Sequence, residues 1–282
     1  MSTVLEFLLP WDFSPLAFLA WSLSALLYVR GLQLTPVARR PHPARSAAYL
    51  GGGALMYFVL QTRYEYLSTH MFFLHILQQF AVHHLGPFLV ALAQPLAVLA
   101  RGLPRDVTTN IIAPVWRHPV TRGAYRFLQN PVVAPVLFVG LIYLWLTPAV
   151  HFDVMLSARY YAVMNWSMLL DGLLFWSLVL DPRTKAEGAR IGLGARIWVV
   201  LLAIPPQIAI GAYIAMSRKD LFDVYAVCGR AWSIAPRTDQ HLGGFITWIP
   251  ASMMHAVAAL IILSRWMHAD AGRAELASCA HT

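Results

Sequence analysis

The residues able to do chemistry in this chain are imidazoles, amides and two carboxylates set inside apolar sequence. His70, His75, Gln78, Gln79, His83 and His84 fall within one stretch, Asn165 and Asp171 within a second, and Asp239-Gln240-His241 and His255 within a third. His75, Gln79 and His83 recur every four residues and follow one drifting face of a helix. His83 and His84 point about 100° apart on a regular helix, so at most one of them shares a site with His75. Imidazoles on facing helices are a natural first-row transition-metal site, copper being among the tightest divalent binders, and Asp171 is of the type that orients a liganding histidine. Isolated, each of these residues is as readily a hydrogen-bonded packing group as a ligand.

The elements that position them must be membrane helices. The chain is 59% apolar and 12% charged, with a mean hydropathy of +0.58. Soluble domains carry about a quarter charged residues. A bilayer core needs about 20 mainly apolar residues per helix, and seven such runs occur, near 13–30, 47–62, 70–100, 131–150, 158–180, 191–217 and 241–266. The expectation is an all-α integral membrane protein, a bundle of seven transmembrane helices forming a single domain over 1–282. The third run is long enough to be tilted, or broken near Pro87 or Pro95.

Charge orients the bundle. Of 21 Lys and Arg, 15 fall in or beside the linkers holding Arg39–Arg45, Arg101–Arg126 and Arg183–Arg190, or in the C-terminal tail. The other side has six, matched by seven acidic residues. The positive-inside rule makes the basic side cytoplasmic, the N-terminus outside and the C-terminus cytoplasmic. The net charge of +8 is then a topology signal, not a nucleic-acid footprint. No Lys or Arg precedes the first apolar run, so a basic signal-peptide start is not expected. Trp11, Trp116, Trp232 and Trp266 fall near span ends, where indoles collect. Cys228 and Cys279 lie on opposite sides and cannot pair; Cys279-Ala-His281 belongs to the tail and is discounted as a metal motif.

With that topology His70, His241 and His151 sit at or near the outer interface, His75 and Asn165 within about two turns of it, and His83, His84, Asp171 and His255 deeper. Gly51-Gly52-Gly53 permits close helix approach. Pro205-Pro206 is expected to kink the sixth span. The outer loop 218–240 carries Phe222, Val224, Tyr225, Val227 and Trp232, enough to fold back over the helix ends. Asp239 is placed to cap the seventh span, with Gln240 beside it, both fixing the loop rather than binding metal.

These residues resemble a family. Phe73-Leu74-His75-Ile76-Leu77-Gln78-Gln79, continuing through His83-His84-Leu85-Gly86-Pro87 to Gln94-Pro95, is similar to the third helix of CtaG-type assembly factors of caa3 cytochrome c oxidase, which reads F-x-x-H-M-x-Q-H and ends in a small residue and Pro. Asp239-Gln240, Gly244, Trp248 and Pro250 are similar to D-Q-x-x-x-G-x-x-x-W-x-P at the start of the family's last helix, and Leu173-Leu174-Phe175-Trp176 resembles the L-L-F-W that ends its fifth helix. The resemblance covers roughly 50–266. It implies a non-enzymatic role in assembling a haem–copper oxidase in the bacterial inner membrane, with copper handled at the outer face. The implied partners are oxidase subunits, membrane lipid and a periplasmic copper chaperone. His75, Gln78, Asp239, Gln240 and Trp248 carry over. Gln79 stands where the family has its second histidine, and Asn165 where a histidine is expected before L-L-F-W.

The expected copper site therefore uses His75 with His241, and His151 or His70 as a third donor, with His83 in reserve; Gln78, Gln79, Asn165, Asp171, Asp239 and Gln240 support it. Two other readings compete: a haem-binding electron carrier using the deep histidines as axial ligands, and a metal-free scaffold of the oxidase. Neither a nucleophile–base–orienter set nor a phosphate-cradling glycine loop is present, which argues against a hydrolase or an ATPase.

Overall fold

The computed structural model describes residues 7–279 apart from Trp11, with side chains as far as Asp270; the tail side chains of Arg273, Cys279 and His281 lie outside the described residues. The described residues form helices joined by loops, with one isolated β-bridge between Pro10 and Thr62. Helices α1 (Pro15–Gln33) and α2 (Pro43–Gln61) are followed by the short α3 (Tyr64–His70) and the interior helix α4 (Phe72–Ala93). Next come α5 (Leu96–Gly102), α6 (105–117), α7 (Pro119–Leu128), α8 (Val133–Trp145) and α9 (Pro148–Met155). The remainder is α10 (Ala158–Val179), α11 (Leu193–Met216), the single turn α12 (Val224–Val227) and α13 (Pro236–Cys279).

Five helices, α1, α4, α10, α11 and α13, are long and apolar enough to cross a membrane, and α7 with α8 makes a sixth if that bent pair is one span. The chain is thus a multi-pass helical membrane protein. α2 stands where a second span was expected and has 19 residues, but Arg45, Ser46, three glycines and a terminal glutamine keep it out of the strongly apolar set. α7 meets α8 at 72°. Its Arg122 and Arg126 alternate with exposed Val120 and Phe127, the pattern of a helix lying in the interface plane.

The third apolar run ends sooner than its length implied. Gln94 adopts a left-handed conformation (φ 54°) and Pro95 follows, so α4 stops at Ala93 and α5 turns back onto α1, where Val98 carbonyl oxygen presses against Gly31. Pro87 breaks nothing; it sits in the first turn after a π-helical segment, Phe80–Leu85. The Pro205-Pro206 pair lies inside an unbroken α11, and the Pro206 carbonyl accepts from the Tyr143 hydroxyl at 2.8 Å.

In lipid, helices associate through close packing and polar contacts rather than through water exclusion, and the contacts here are of that kind. Gly53 seats the Trp21 ring and Gly52 meets the Gly86 carbonyl. Gly172 lies against the His83 carbonyl, Gly211 against Trp248, and Gly244 against the Ala215 backbone. α4 is the hub of the bundle, most of its residues being buried.

The loop 217–235 folds back over one end of the bundle, as its apolar content implied. Phe222, Val224 and Tyr225 are buried, and Phe222 stacks on Phe72 at 4.0 Å. This loop face is poor in Lys and Arg; the opposite, basic face carries the 181–191 segment. That segment is organised by Arg196, a buried cation at the start of α11 that donates to the carbonyls of Asp181, Arg183 and Ile191.

Candidate functional site: a polar seam along α4

A regular helix would carry His75, Gln79 and His83 down one face. The π-helical turn inserts an extra residue, so that face passes from His75 and Gln79 to His84 instead. These three residues line a cavity of about 40 Å³ together with Trp145 of α8, Met164 and Met168 of α10, and Thr247 of α13. Both His83 and His84 are buried, because the widened turn swings the first toward α10 and the second toward α11. π-turns of this type recur at functional sites.

His83 Nε2 lies 3.1 Å from Asp171 Oδ2, and its ring stacks on Phe138 at 4.0 Å. The carboxylate engages Nε2 of the imidazole, while Nδ1 has no partner and His83 does not line the 40 Å³ cavity. His84 Nε2 meets the Gln207 amide at 3.0 Å while its Nδ1 has no partner. His255 Nδ1 donates to the Ala251 carbonyl at 2.7 Å, leaving Nε2 unpartnered. The rings of His83, His84 and His255 pack against Phe138, Phe175 and Trp176 at 4.0–5.9 Å. Pockets for drug-sized ligands run to roughly 300–1,000 Å³, and the space beside His84 is about 40 Å³.

Toward the loop face, His75 and His151 meet edge to face with ring centroids 5.0 Å apart. His151 is committed at both nitrogens: Nδ1–H donates to the Trp145 carbonyl and Nε2 accepts from the Tyr225 hydroxyl, each at 3.0 Å. Burial lowers its pKa to about 4, against the opposing effect of the Trp145 carbonyl, so His151 is a neutral clamp between α9 and the loop. His75 is buried with Nδ1 unpartnered. His70 stays on α3, bonded to the Tyr66 carbonyl at 2.7 Å, with its ring tilted against the Tyr66 ring at 4.1 Å. His241 is half-buried at the start of α13. Among the described residues no three His, Cys, Asp or Glu side chains are grouped to hold a metal ion. The expected set of His75, His241 and His151 or His70 is therefore not gathered; only His75 and His151 come together.

The amides hold the seam in register. Gln78 donates to the Val59 carbonyl at 2.8 Å and accepts from the Tyr161 hydroxyl at 2.6 Å, tying α2 and α10 to α4. Gln79 Nε2 donates to Asn165 Oδ1 at 2.7 Å, and its own Oε1 has no partner. Gln79 and Asn165 thus face each other as a hydrogen-bonded amide pair.

Asp239 caps a different helix from the one expected. Its carboxylate accepts from the backbone N–H groups of Phe72 (3.1 Å) and Phe73 (2.8 Å) at the start of α4, and pairs with Arg230 of the loop. Gln240 accepts from Leu221 N–H at 2.8 Å and donates to the Ile214 and Lys219 carbonyls, both at 3.1 Å. The Asp239-Gln240 motif thus pins the loop over the seam. Sequence reading missed Met164 and Met168, which look like ordinary span residues, and Tyr225, whose hydroxyl fixes His151.

An α4 carrying the polar seam, with a D-Q pair closing a loop over it, is the centre of a multi-pass helical membrane protein. Residues 26–269 match the family described as cytochrome c oxidase caa3 assembly factor (Caa3_CtaG), and the chain belongs to that family. It is also similar to uncharacterized proteins of Mycobacterium leprae (24% identical), Mycobacterium bovis and Mycobacterium tuberculosis (both 26%), over 95% of this chain and 41% of each of theirs. The chain thus spans less than half the length of these relatives. No solved structure matches it.

Proposed function

We propose that this protein assists assembly of a caa3-type haem–copper oxidase in the bacterial inner membrane by holding copper at the outer, loop-covered end of its bundle. In this reading seven spans cross the bilayer, α2 serving as the second and α8 supplying the fourth, with α7 in the interface beside it. The basic face is cytoplasmic. The protein takes no catalytic part. It receives copper from a periplasmic chaperone and passes it to an oxidase subunit docked against the loop face, among the surrounding lipid. The observation that carries the reading is the family match across most of the chain. The buried His75, under a loop pinned by the family's D-Q pair, is the residue this reading places at the copper.

A metal-free scaffold is the second reading. It is favoured by the absence of a three-donor cluster among the described residues and by the two hydrogen bonds that occupy His151. Deleting the gene separates the two. Loss of oxidase copper with oxidase polypeptide still present supports copper handling, whereas loss of the polypeptide itself supports the scaffold.

A further inference from the structure

Two cavities lie on either side of the Gln79–Asn165 pair. The inner one is the 40 Å³ space lined by His75, Gln79, His84, Met164 and Met168. The other, about 300 Å³, runs from exposed Asp12 and Ala162 past Glu65 to buried Gln61, Tyr161 and Asn165. Asn165 lines the outer cavity and Gln79 the inner one, and the 2.7 Å hydrogen bond between them is the partition. We propose that the two cavities form one cation path, an acidic vestibule opening through the Gln79–Asn165 amide pair into an inner site that binds a soft monovalent metal ion through imidazole and thioether donors. The inference rests on the copper-handling reading for its physiological cargo and specifies the donor set and charge of the ion.

Three observations separate the inner cavity from ordinary packing. Protein interiors fill their space, and voids larger than a water are few; this one exceeds the roughly 10–15 Å³ a water needs. Three lining side chains, all more than nine-tenths buried, carry polar atoms without partners: His75 Nδ1, Gln79 Oε1 and His84 Nδ1. Met164 and Met168 stand one turn apart on α10 and put two buried thioethers on the same wall.

Donor chemistry selects the ion. Thioethers favour Cu(I) over harder cations. No carboxylate lines the inner cavity, so a divalent ion would bring two uncompensated charges against mainly apolar walls, far costlier than one. His84 is readied by Gln207. Turning that amide over, which its unpartnered Oε1 permits, makes it the acceptor for Nε2–H and leaves Nδ1 as the lone-pair donor.

The vestibule supplies attraction at the mouth. Asp12 and Glu65 are its two acids, and Tyr161 is the other ionisable group lining it. Burial, then the charge of Asp12, raises the Glu65 pKa to about 8, so at neutral pH an arriving cation displaces a proton from Glu65.

The test uses the full-length protein in mild detergent, titrated anaerobically with Cu(I), and with Ag(I) as a redox-inert probe, against a chromophoric chelator. One ion should bind per chain, with Zn(II) far weaker. Losing outer-shell partners of a metal site typically costs about 10–100-fold in affinity, so the Met164→Leu/Met168→Leu double variant, which preserves volume, should lose at least that. Met253→Leu, on an exposed side chain, should lose nothing. Unfolding temperatures of the variants identify any that misfold, and a repeat with Met168→Leu alone covers that case. Glu65→Gln should slow loading without changing the final affinity, and Asn165→Ala should speed it. Equal or tighter Zn(II) binding, unchanged Cu(I) affinity in the methionine variants, or no Cu(I) and Ag(I) binding (a cavity that holds water only) would overturn the proposal. If the site fails while the deletion strain still lacks oxidase copper, the functional reading survives without it. If the site binds while the oxidase is fully metallated, the functional reading fails and the site stands.

Discussion

Asp239→Ala is the most informative single perturbation of the loop face. Its carboxylate serves two backbone N–H groups of α4 and one guanidinium, and the side chain is fully buried. Each hydrogen bond to a charged group is worth about 1.5–3 kcal/mol, and removing one partner of a buried ion pair costs about 3–5 kcal/mol. These contributions share one carboxylate and do not add. Arg230 lies near the end of the bundle, where water can reach it once released, so the loss should sit near the lower end, about 3 kcal/mol. At about 2–4 °C per kcal/mol, unfolding in detergent should fall by about 6–12 °C. Asp239→Asn keeps one acceptor and should lose about half as much. Asp153→Ala, an exposed acid on the same face, should lose nothing measurable. Trypsin should also cleave near Lys219 faster in the alanine variant, because the loop is no longer pinned. An Asp239→Ala protein that melts with the wild type and keeps its loop protected would refute this account of the motif.

Other perturbations read different parts of the structure. Glu65 is held protonated in the fold to about pH 8, so ionisation in the unfolded chain costs the native state stability as pH rises from about 4.5. Glu65→Gln should therefore raise the unfolding temperature at pH 8 and leave it unchanged near about pH 3, where both states are protonated. Asp171→Ala strips His83 of its side-chain hydrogen-bond partner and should cost about 1–3 kcal/mol, read by denaturant unfolding in mixed micelles. Gly53→Leu would drive a side chain into the Trp21 ring, and loss of folded yield on size exclusion should follow. An impermeant thiol reagent should label exposed Cys228 in intact cells if the loop face is outside; labelling only after lysis would reverse the orientation.

The bundle, its central α4 and the folded-back loop were legible from the sequence, because long apolar runs and a polar seam are local signals. What escaped had a nonlocal or irregular cause. The spacing of His75, Gln79 and His83 presumes 3.6 residues per turn, and no local signal announced the π-turn that replaces His83 with His84. Capping read along the chain assigns Asp239 to its own helix, whereas its partners are the N–H groups of Phe72 and Phe73, more than 160 residues away. Met164 and Met168 were invisible because a thioether within an apolar span looks like packing until a cavity opens beside it.

The central claim is tested most directly by the copper-to-haem ratio of the caa3-type oxidase purified from cells that lack this protein, and from the same cells carrying wild-type or His75→Ala copies. The account predicts an oxidase with normal haem and depleted copper in the deletion strain, restored by the wild type and not by His75→Ala. Full copper occupancy in the deletion strain, or full restoration by His75→Ala, would contradict it.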